Sequence, residues 1–202
     1  MSDKREGGDG RGHSVCPWWM IYTFDNPLRK LVQPPEKALH GMAGPGDHCL
    51  DMGCGMGYFT IPLARRVGPS GSVTAVDVQQ QMLDGLMRRA RRQGLSGAIA
   101  PLLVSDPGWE SPDRYDFVLA FWMVHEVPDR EGLFRSLRRV LKESGRALVA
   151  EPVLHVGRAA FEETLGIARR VGLRVEQGPK VFGSRSAILT RPRGSGGQGG
   201  DT

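Results

Sequence analysis

The stretch CLDMGCGMGYFT carries the residues of this chain whose types and spacing most directly indicate chemistry. Glycines occupy three alternate positions: Gly53, Gly55 and Gly57. A glycine-rich turn that follows a buried strand lets the backbone approach a nucleotide-like ligand closely. Asp51 lies just before this turn, where its carboxylate would repel a diphosphate and attract a cation. The pattern therefore predicts a ligand that carries positive charge and no phosphate.

Tyr58 and two acids in addition to Asp51 refine this prediction. A dinucleotide-binding turn needs glycine at the position of Tyr58, which argues against a nicotinamide cofactor. Asp77 lies at the end of the run TAVD and Asp106 follows LLVS, so both are expected at the carboxyl ends of neighbouring parallel strands. Each acid also has a structural alternative: Asp77 would cap a helix that starts near residue 79, and Asp106 would form a turn with Pro107.

A second group of polar residues follows two later strands. His125 and Glu126 occur in WMVHEVP, whereas Glu151 and His155 occur in AEPVLHV. His125 or Glu151 is a candidate catalytic base, and Glu126 and His155 are candidates for lining a substrate pocket. Two histidines and two carboxylates would also suit zinc or iron, although the favoured prediction is a pocket without metal. The structural alternative is that Glu126 faces solvent and His155 begins a loop.

The elements that must position these residues alternate along the chain. Strands are predicted at 48–53, 72–78, 99–105, 115–122 and 146–152, followed by a hairpin of 173–179 and 184–192. Helices are predicted at 57–67, 79–93, 129–142 and 158–171. Strands that alternate with helices of this length indicate an α/β fold with a parallel sheet and helices on both faces. The hairpin adds at least one antiparallel strand.

The segment LDMGCGMGYFTIPLARRVGPSGSVTAVDVQQQML resembles the cofactor-binding half of the class I S-adenosylmethionine-dependent methyltransferases. It is most similar to the small ubiquinone/menaquinone-type and arsenite-type branch, and the resemblance covers residues 47–153 well. It implies a Rossmann-like three-layer sandwich whose seven-stranded, mostly parallel sheet is closed by a C-terminal antiparallel hairpin. It also implies S-adenosyl-L-methionine as cofactor and S-adenosyl-L-homocysteine as product.

The resemblance also implies a role for each matching residue. Asp51 would help hold the methionine end, and the turn 53–57 would lie against the cofactor. Asp77 matches the acid that binds both ribose hydroxyls, and Asp106 matches the polar residue at the adenine edge. Phe121 begins the segment that lies beneath the methionine and the methyl group.

The chain is divided as follows: residues 1–14 and 193–202 as disordered tails, 15–45 as an aromatic leader or lid, and 46–192 as the methyltransferase domain. Trp18 and Trp19 are candidates for the wall of the acceptor pocket, or anchors that bury the leader. The arsenite branch uses several cysteines for its substrate. Cys16 alone lies outside the cofactor half, which argues against arsenite.

Composition limits the remaining classes of function. The net charge is +5, but the basic residues occur as spaced arginine pairs, which is typical of solvated helix faces rather than a nucleic-acid footprint. The three cysteines form no framework spacing, and no signal peptide or apolar run of about 18 residues is visible. These features predict a cytoplasmic protein without a membrane span. The oligomeric state is open between a monomer and a homodimer, because the edge of the hairpin could be free or paired.

The favoured function is methyl transfer to a small-molecule acceptor by in-line displacement. The segment AFWMVHEV lacks the Asn/Asp-Pro-Pro-Tyr/Phe motif that accompanies methylation of planar amino nitrogens. An RNA or protein methyltransferase is the enzymatic alternative, and a non-catalytic cofactor sensor or partner subunit is the alternative from another class.

Overall fold

A computed structural model of the chain describes residues 31–105 and 111–192, in which strands and helices alternate as the sequence predicts. The strands are β1 His48–Met52, β2 Ser72–Asp77, β3 Ile99–Leu103, β4 Tyr115–Phe121, β5 Leu141–Pro152, β6 Arg174–Gln177 and β7 Ser184–Thr190. The helices are α1 Pro35–Ala38, α2 Thr60–Val67, α3 Gln80–Arg92, α4 Arg130–Val140 and α5 Arg158–Arg170. Two short 3₁₀ turns cover Ser96–Ala98 and Val124–Glu126.

The seven strands form one sheet in the order β3-β2-β1-β4-β5-β7-β6. The first five are parallel to one another, whereas β7 runs antiparallel to both β5 and β6. The chain proceeds outward from β1 in one direction and from β4 in the other, which opens a crevice beyond the carboxyl ends of these two strands. The predicted fold class and its antiparallel closure are confirmed.

Apolar side chains on both faces of the sheet explain the continuous apolar runs of the central strands. One core packs α1, α2 and α3 against the sheet and includes Leu63, Leu86 and Phe117. The other core packs α4 and α5 against the opposite face and includes Phe134 and Val149. The two faces therefore hold the strand ends rigidly, and the loops beyond these ends are the parts available for a ligand.

Two element boundaries differ from the sequence prediction by three residues or more. Strand β5 begins at Leu141 rather than at residue 146, because Leu141 already pairs with Tyr115 before an irregularity in the β4–β5 register. Gly145 lies inside this irregular segment, where an added Cβ would be 2.7 Å from the carbonyl oxygen of Tyr115. Helix α2 begins at Thr60 rather than at residue 57, because the glycine turn occupies the intervening residues.

The described part of the leader packs onto the sheet domain. Pro35 occupies the first turn of α1, where the missing N–H of proline is harmless. Leu39 follows the helix and is fully buried in the core on the α2 side. Cys16, Trp18 and Trp19, together with the predicted terminal tails, lie outside the described residues.

Candidate active site

The glycine turn follows β1 and requires its glycines. Gly53 and Gly57 have φ angles of 68° and 87°, in the left-handed region that side chains rarely adopt. An added Cβ would lie 2.9 Å from the Cβ of Met123 at Gly53, and 2.4 Å from Cδ1 of Leu86 at Gly57. The backbone N–H groups of Gly53 and Cys54 donate to the carbonyl of Val76 on β2. Glycine is therefore required at both positions by the backbone conformation and by the close packing of Met123 and Leu86.

Gly57→Ala is expected to destabilise the fold through both backbone strain and a side-chain clash. Gly94→Ala is a matched control, because Gly94 follows α3 with a φ of 70° and no atom lies within 4 Å of its added Cβ. Strain alone costs about 1–3 kcal/mol, and overpacking adds about 1–3 kcal/mol. Urea denaturation should therefore show a loss for Gly57→Ala about twice that for Gly94→Ala. Equal losses in the two variants would show that Leu86 yields at no cost.

Asp77 joins the glycine turn to the start of α3. Its Oδ2 accepts a hydrogen bond from the backbone N–H of Gly55 at 2.9 Å, and its Oδ1 accepts one from that of Gln79, also at 2.9 Å. The side chain is 8% exposed, and burial raises its pKa against the opposing effect of these N–H groups. The capping alternative is not realised, because Gln79 is the N-cap residue of α3 and the helix has no side-chain cap; the carboxylate instead organises the local turn. Its remaining lone-pair capacity is available to a ligand hydroxyl.

Asp51 lies near the end of β1 with only 2% of its surface exposed. Its Oδ2 accepts a hydrogen bond of 2.6 Å from the hydroxyl of Thr60 at the start of α2. Burial raises the pKa of Asp51 from 3.8 to about 7, the Thr60 bond opposes this shift, and the charge of Asp77 adds to it. Thr60 is a supporting residue that sequence reasoning missed. A buried acid with such a pKa is poised to ionise when a cation arrives.

The pKa of Asp51 predicts a pH-dependent affinity for S-adenosylhomocysteine, whose ammonium group favours the ionised carboxylate. Below pH 7 the ligand must displace a proton from Asp51, so binding should be about tenfold weaker at pH 6 than at pH 8. Calorimetric titration at both values measures the difference. In Asp51→Asn the affinity should be low and nearly independent of pH, and an unchanged tenfold difference would assign the dependence to another group.

The other predicted cofactor-binding residues have different positions. Asp106 lies outside the described residues. Phe121 ends β4, is 7% exposed, and packs against Phe59 and Trp122 with ring centroids 4.3 Å and 5.4 Å away. Phe121 is thus part of a buried aromatic cluster at the end of β4, and its position beneath the methionine and methyl group stays a prediction.

His125 and Glu151 form a hydrogen-bonded pair at the carboxyl ends of β4 and β5. The Nδ1 atom of His125 lies 2.5 Å from Oε2 of Glu151, and Oε1 of Glu151 accepts a bond of 2.9 Å from the backbone N–H of Val124. Glu151 is 1% exposed, whereas the side chain of His125 is 24% exposed. Because a carboxylate only accepts, Nδ1 carries the proton and Nε2 of neutral His125 keeps a lone pair. The two predicted catalytic residues are thus adjacent.

The hydrogen bond to Glu151 raises the pKa of His125, against the opposing effect of burial. A histidine whose pKa is higher in the folded than in the unfolded state stabilises the fold below the unfolded value of about 6.5, and this contribution is lost as pH rises through the folded pKa. Above that pH the imidazole is neutral and available as a base. His125 is thus a pH-sensitive proton acceptor that is held in place by the buried carboxylate of Glu151.

Glu126 and His155, the predicted pocket residues, lie near this pair. Oε1 of Glu126 is 4.0 Å from Nε2 of His125, and the rings of His155 and His125 are 6.3 Å apart between centroids. His155 is exposed and lies in the turn after β5. Within residues 31–105 and 111–192, no group of three or more histidines, cysteines and acids has a geometry that could hold a metal ion.

The leader is joined to the site by hydrogen bonds that sequence reasoning missed. The hydroxyl of Tyr58, in the glycine turn, donates to the carbonyl of Gln33 at 2.8 Å. The amide of Gln33 in turn donates to the carbonyl of Phe182 in the β6–β7 loop at 2.9 Å. Ser184 at the start of β7 accepts a 2.9 Å bond from the indole of Trp122, whose φ of 59° marks strain at the end of β4. These bonds connect the glycine turn, the leader and the hairpin around one opening.

The methyltransferase-domain family matches residues 49–145 of this chain. A demethylmenaquinone methyltransferase from Lactobacillus johnsonii is 32% identical over 141 residues, which cover 65% of this chain and 57% of the relative. Aklanonic acid methyltransferase from a Streptomyces species is 28% identical over 144 residues, which cover 69% and 64% of the two chains. The chain thus spans about three-fifths of the length of these curated relatives.

A crystal structure of an S-adenosylmethionine-dependent methyltransferase from Aquifex aeolicus has the same fold, with a TM-score of 0.74, 23% identity, and coverage of 87% of this chain and 97% of that one. The family match over residues 49–145 and the shared fold support a methyltransferase domain that resembles the class I S-adenosylmethionine-dependent enzymes. Among its curated relatives, the chain is similar to demethylmenaquinone and ubiquinone/menaquinone biosynthesis methyltransferases.

The donor set of the site fits this cofactor. The carboxylates of Asp51 and Asp77, which flank the glycine turn, suit an ammonium group and a ribose diol. Arg89 approaches the turn from α3, but its guanidinium donates to the carbonyl oxygen of Met56 at 3.1 Å. The acids at the site therefore favour a ligand with positive charge and hydroxyl groups, as the sequence predicts.

Proposed function

We propose that this chain transfers a methyl group from S-adenosylmethionine to a small-molecule acceptor. The observation that carries the proposal is the position of the His125–Glu151 pair, at the same edge of the sheet as the glycine turn and Asp77. When bound, the cofactor supplies an electrophilic methyl carbon and leaves as S-adenosylhomocysteine. The residues of the chain then have to hold the acceptor in line with that carbon and exclude water.

His125 is proposed as the general base for an acceptor that arrives protonated. Its Nε2 takes the proton from the acceptor hydroxyl or acidic carbon, while Glu151 holds Nδ1 and stabilises the imidazolium. The electron pair left on the acceptor forms the new bond to the methyl carbon, and the electrons of the broken carbon–sulfur bond remain on sulfur. His125 afterwards releases its proton to solvent, which its partial exposure permits.

An apolar rim around the opening supports an acceptor with a hydrophobic body. The rim consists of exposed side chains of the leader, the turn after β5 and the β6–β7 loop: Leu31, Val32, Val153, Leu154 and Phe182. The last two are 93% and 68% exposed, and the N–H of Val153 donates to the carbonyl of Gly183, which holds their loops together. Exposed apolar groups of this size favour a binding function. The similar relatives named for demethylmenaquinone and aklanonic acid favour a ring-containing acceptor.

The leader is proposed to act as a lid or wall of this acceptor pocket. Gln33 supports this role, because it is 3% exposed and bridges the glycine turn to the hairpin. Trp18 and Trp19 remain predictions for the pocket wall, and Asp106 remains one for the adenine edge.

The distribution of arginines supports a small acceptor over RNA. Exposed arginine pairs occur on α3 on one face of the sheet and on α4 and α5 on the other, so they do not form one continuous surface.

In the described ranges no helix has the length and apolar character to cross a membrane. The proposed setting is the cytoplasm, with Cys49 and Cys54 free and buried.

Incubation of the pure chain with methyl-labelled S-adenosylmethionine and a fractionated cell extract tests the proposed function. Label should enter a small-molecule fraction and remain absent from the RNA and protein fractions. Label in RNA, with binding that weakens steeply with salt, would favour the nucleic-acid alternative. Tight binding of S-adenosylhomocysteine with no label in any fraction would favour a sensor or a partner subunit.

A further inference from the structure

A second recess lies outside the cofactor crevice, between the first turns of α5 and the hairpin strands. It has a volume of about 290 Å³, and Phe161 forms part of its apolar wall. Three cationic side chains line it: Arg158, Lys180 and Arg185. Glu162 is the one acidic residue of the lining, so the recess has a formal charge of +2 (three cations minus one acid).

Arg185 gives the strongest indication that this recess binds a ligand. Its Nη1 atom is buried and has no hydrogen-bond acceptor in the described part of the chain. A buried donor without a partner is costly, and native structures normally satisfy such a group with an anion, a water or a protein oxygen. None of the three cations forms an ion pair with an acidic side chain within residues 31–105 and 111–192. The guanidinium fork is suited to a carboxylate or a phosphate.

The recess adjoins the proposed catalytic pair through the sheet. Arg185 on β7 stands directly opposite Glu151 on β5 in the antiparallel register, so both side chains project from the same face. The same β6–β7 segment carries Phe182 of the apolar rim between Lys180 and Arg185. The positive end of the α5 dipole also points to this side, since Arg158 and Glu162 lie in its first two turns.

We propose that the recess binds an anionic group, a carboxylate or a phosphate, of the methyl acceptor. This inference rests on the proposed methyl transfer. The acceptor would lay its apolar body along the rim, place its reacting atom at His125, and anchor its anionic group on Arg185. A buried guanidinium of this kind would select acidic acceptors over their neutral analogues, because a neutral group leaves the guanidinium unpaired.

Titration of the full chain with inorganic phosphate and, separately, with benzoate tests the recess without cofactor or turnover. Backbone amide NMR at constant ionic strength should show saturable shifts in residues 177–186. Arg185→Gln should raise the dissociation constant at least tenfold, and Lys180→Gln should raise it about threefold. Arg174→Gln is the matched control, because Arg174 lies on β6 with 63% of its side chain exposed and pairs with Glu176. It should stay within twofold of the wild type.

The two probes distinguish the sources of the anion. Binding of phosphate alone indicates a phosphorylated acceptor, and binding of benzoate alone indicates a carboxylic acid; both outcomes support the site. Equal affinity in the wild type and in Arg185→Gln, or shifts confined to other segments, would overturn it. A neutral acceptor in the labelling experiment would overturn its assignment to the substrate. Failure of methyl transfer itself would instead appear as absent label, which these titrations do not measure.

Discussion

Replacement of Asp77 by alanine is expected to weaken binding of S-adenosylhomocysteine at least a hundredfold while the chain keeps its fold. The carboxylate aligns the N–H of Gly55 in the glycine turn and retains lone pairs for a ribose diol. Hydrogen bonds to a charged group contribute about 1.5–3 kcal/mol each, and a hundredfold change in affinity corresponds to about 2.8 kcal/mol. Calorimetric titration measures the affinity, and circular dichroism with urea denaturation monitors the fold.

Asp116→Ala is the matched control for this variant. Asp116 lies near the start of β4, at the amino ends of the parallel strands and away from the glycine turn. Its carboxylate is 2.7 Å from the ammonium of Lys142. Its loss should leave the affinity for S-adenosylhomocysteine within twofold. If Asp77→Ala unfolds, Asp77→Asn keeps one oxygen for the backbone and should still lose about tenfold in affinity. An affinity within threefold of the wild type in both Asp77 variants would mean that the ribose site lies elsewhere.

Sequence patterns sufficed for the sheet and for the cofactor side of the site, because both depend on local chemistry. A run such as TAVD predicts its own strand, and glycines at alternate positions predict their own turn. The residues Asp51, Gly53, Gly57 and Asp77 therefore lie where the patterns place them. The pairing of His125 with Glu151 was also predictable, since both residues lie at the ends of strands that are neighbours in the sheet.

Contacts between distant segments were not predictable in the same way. Gln33 bonds to Phe182 across 149 residues of sequence, and no local pattern marks either residue. Arg185 appeared as an ordinary basic residue of a closing strand, and its role emerges only because β7 inserts between β5 and β6. The early start of β5 depends on an irregularity in the β4–β5 register between Tyr115 and Phe117, which is a property of the pair of strands rather than of either sequence.

His125→Gln is expected to lower the rate of methyl transfer at least a hundredfold, because loss of a positioned base costs about 10²–10⁴ in rate. Binding of S-adenosylhomocysteine should stay within threefold, since His125 lies on the acceptor side. The rate is measured with the labelled acceptor fraction at saturating cofactor. Glu131→Gln is the control, an exposed acid of α4 that pairs with Arg135. A rate within threefold of the wild type in His125→Gln would remove His125 from the mechanism.

Glu151→Gln separates proton transfer from a merely structural role of the pair. The rate should rise with pH as His125 loses its proton, with a midpoint above 6.5 because the bond to Glu151 raises the pKa of His125. Glutamine can still accept from the N–H of Val124 but carries no charge, so the pKa of His125 should fall and the midpoint should move to lower pH. The limiting rate should also fall, since the imidazolium loses its counter-charge. A pair that only holds the loop after β4 would instead change the stability of Glu151→Gln and leave the midpoint of the rate profile unmoved.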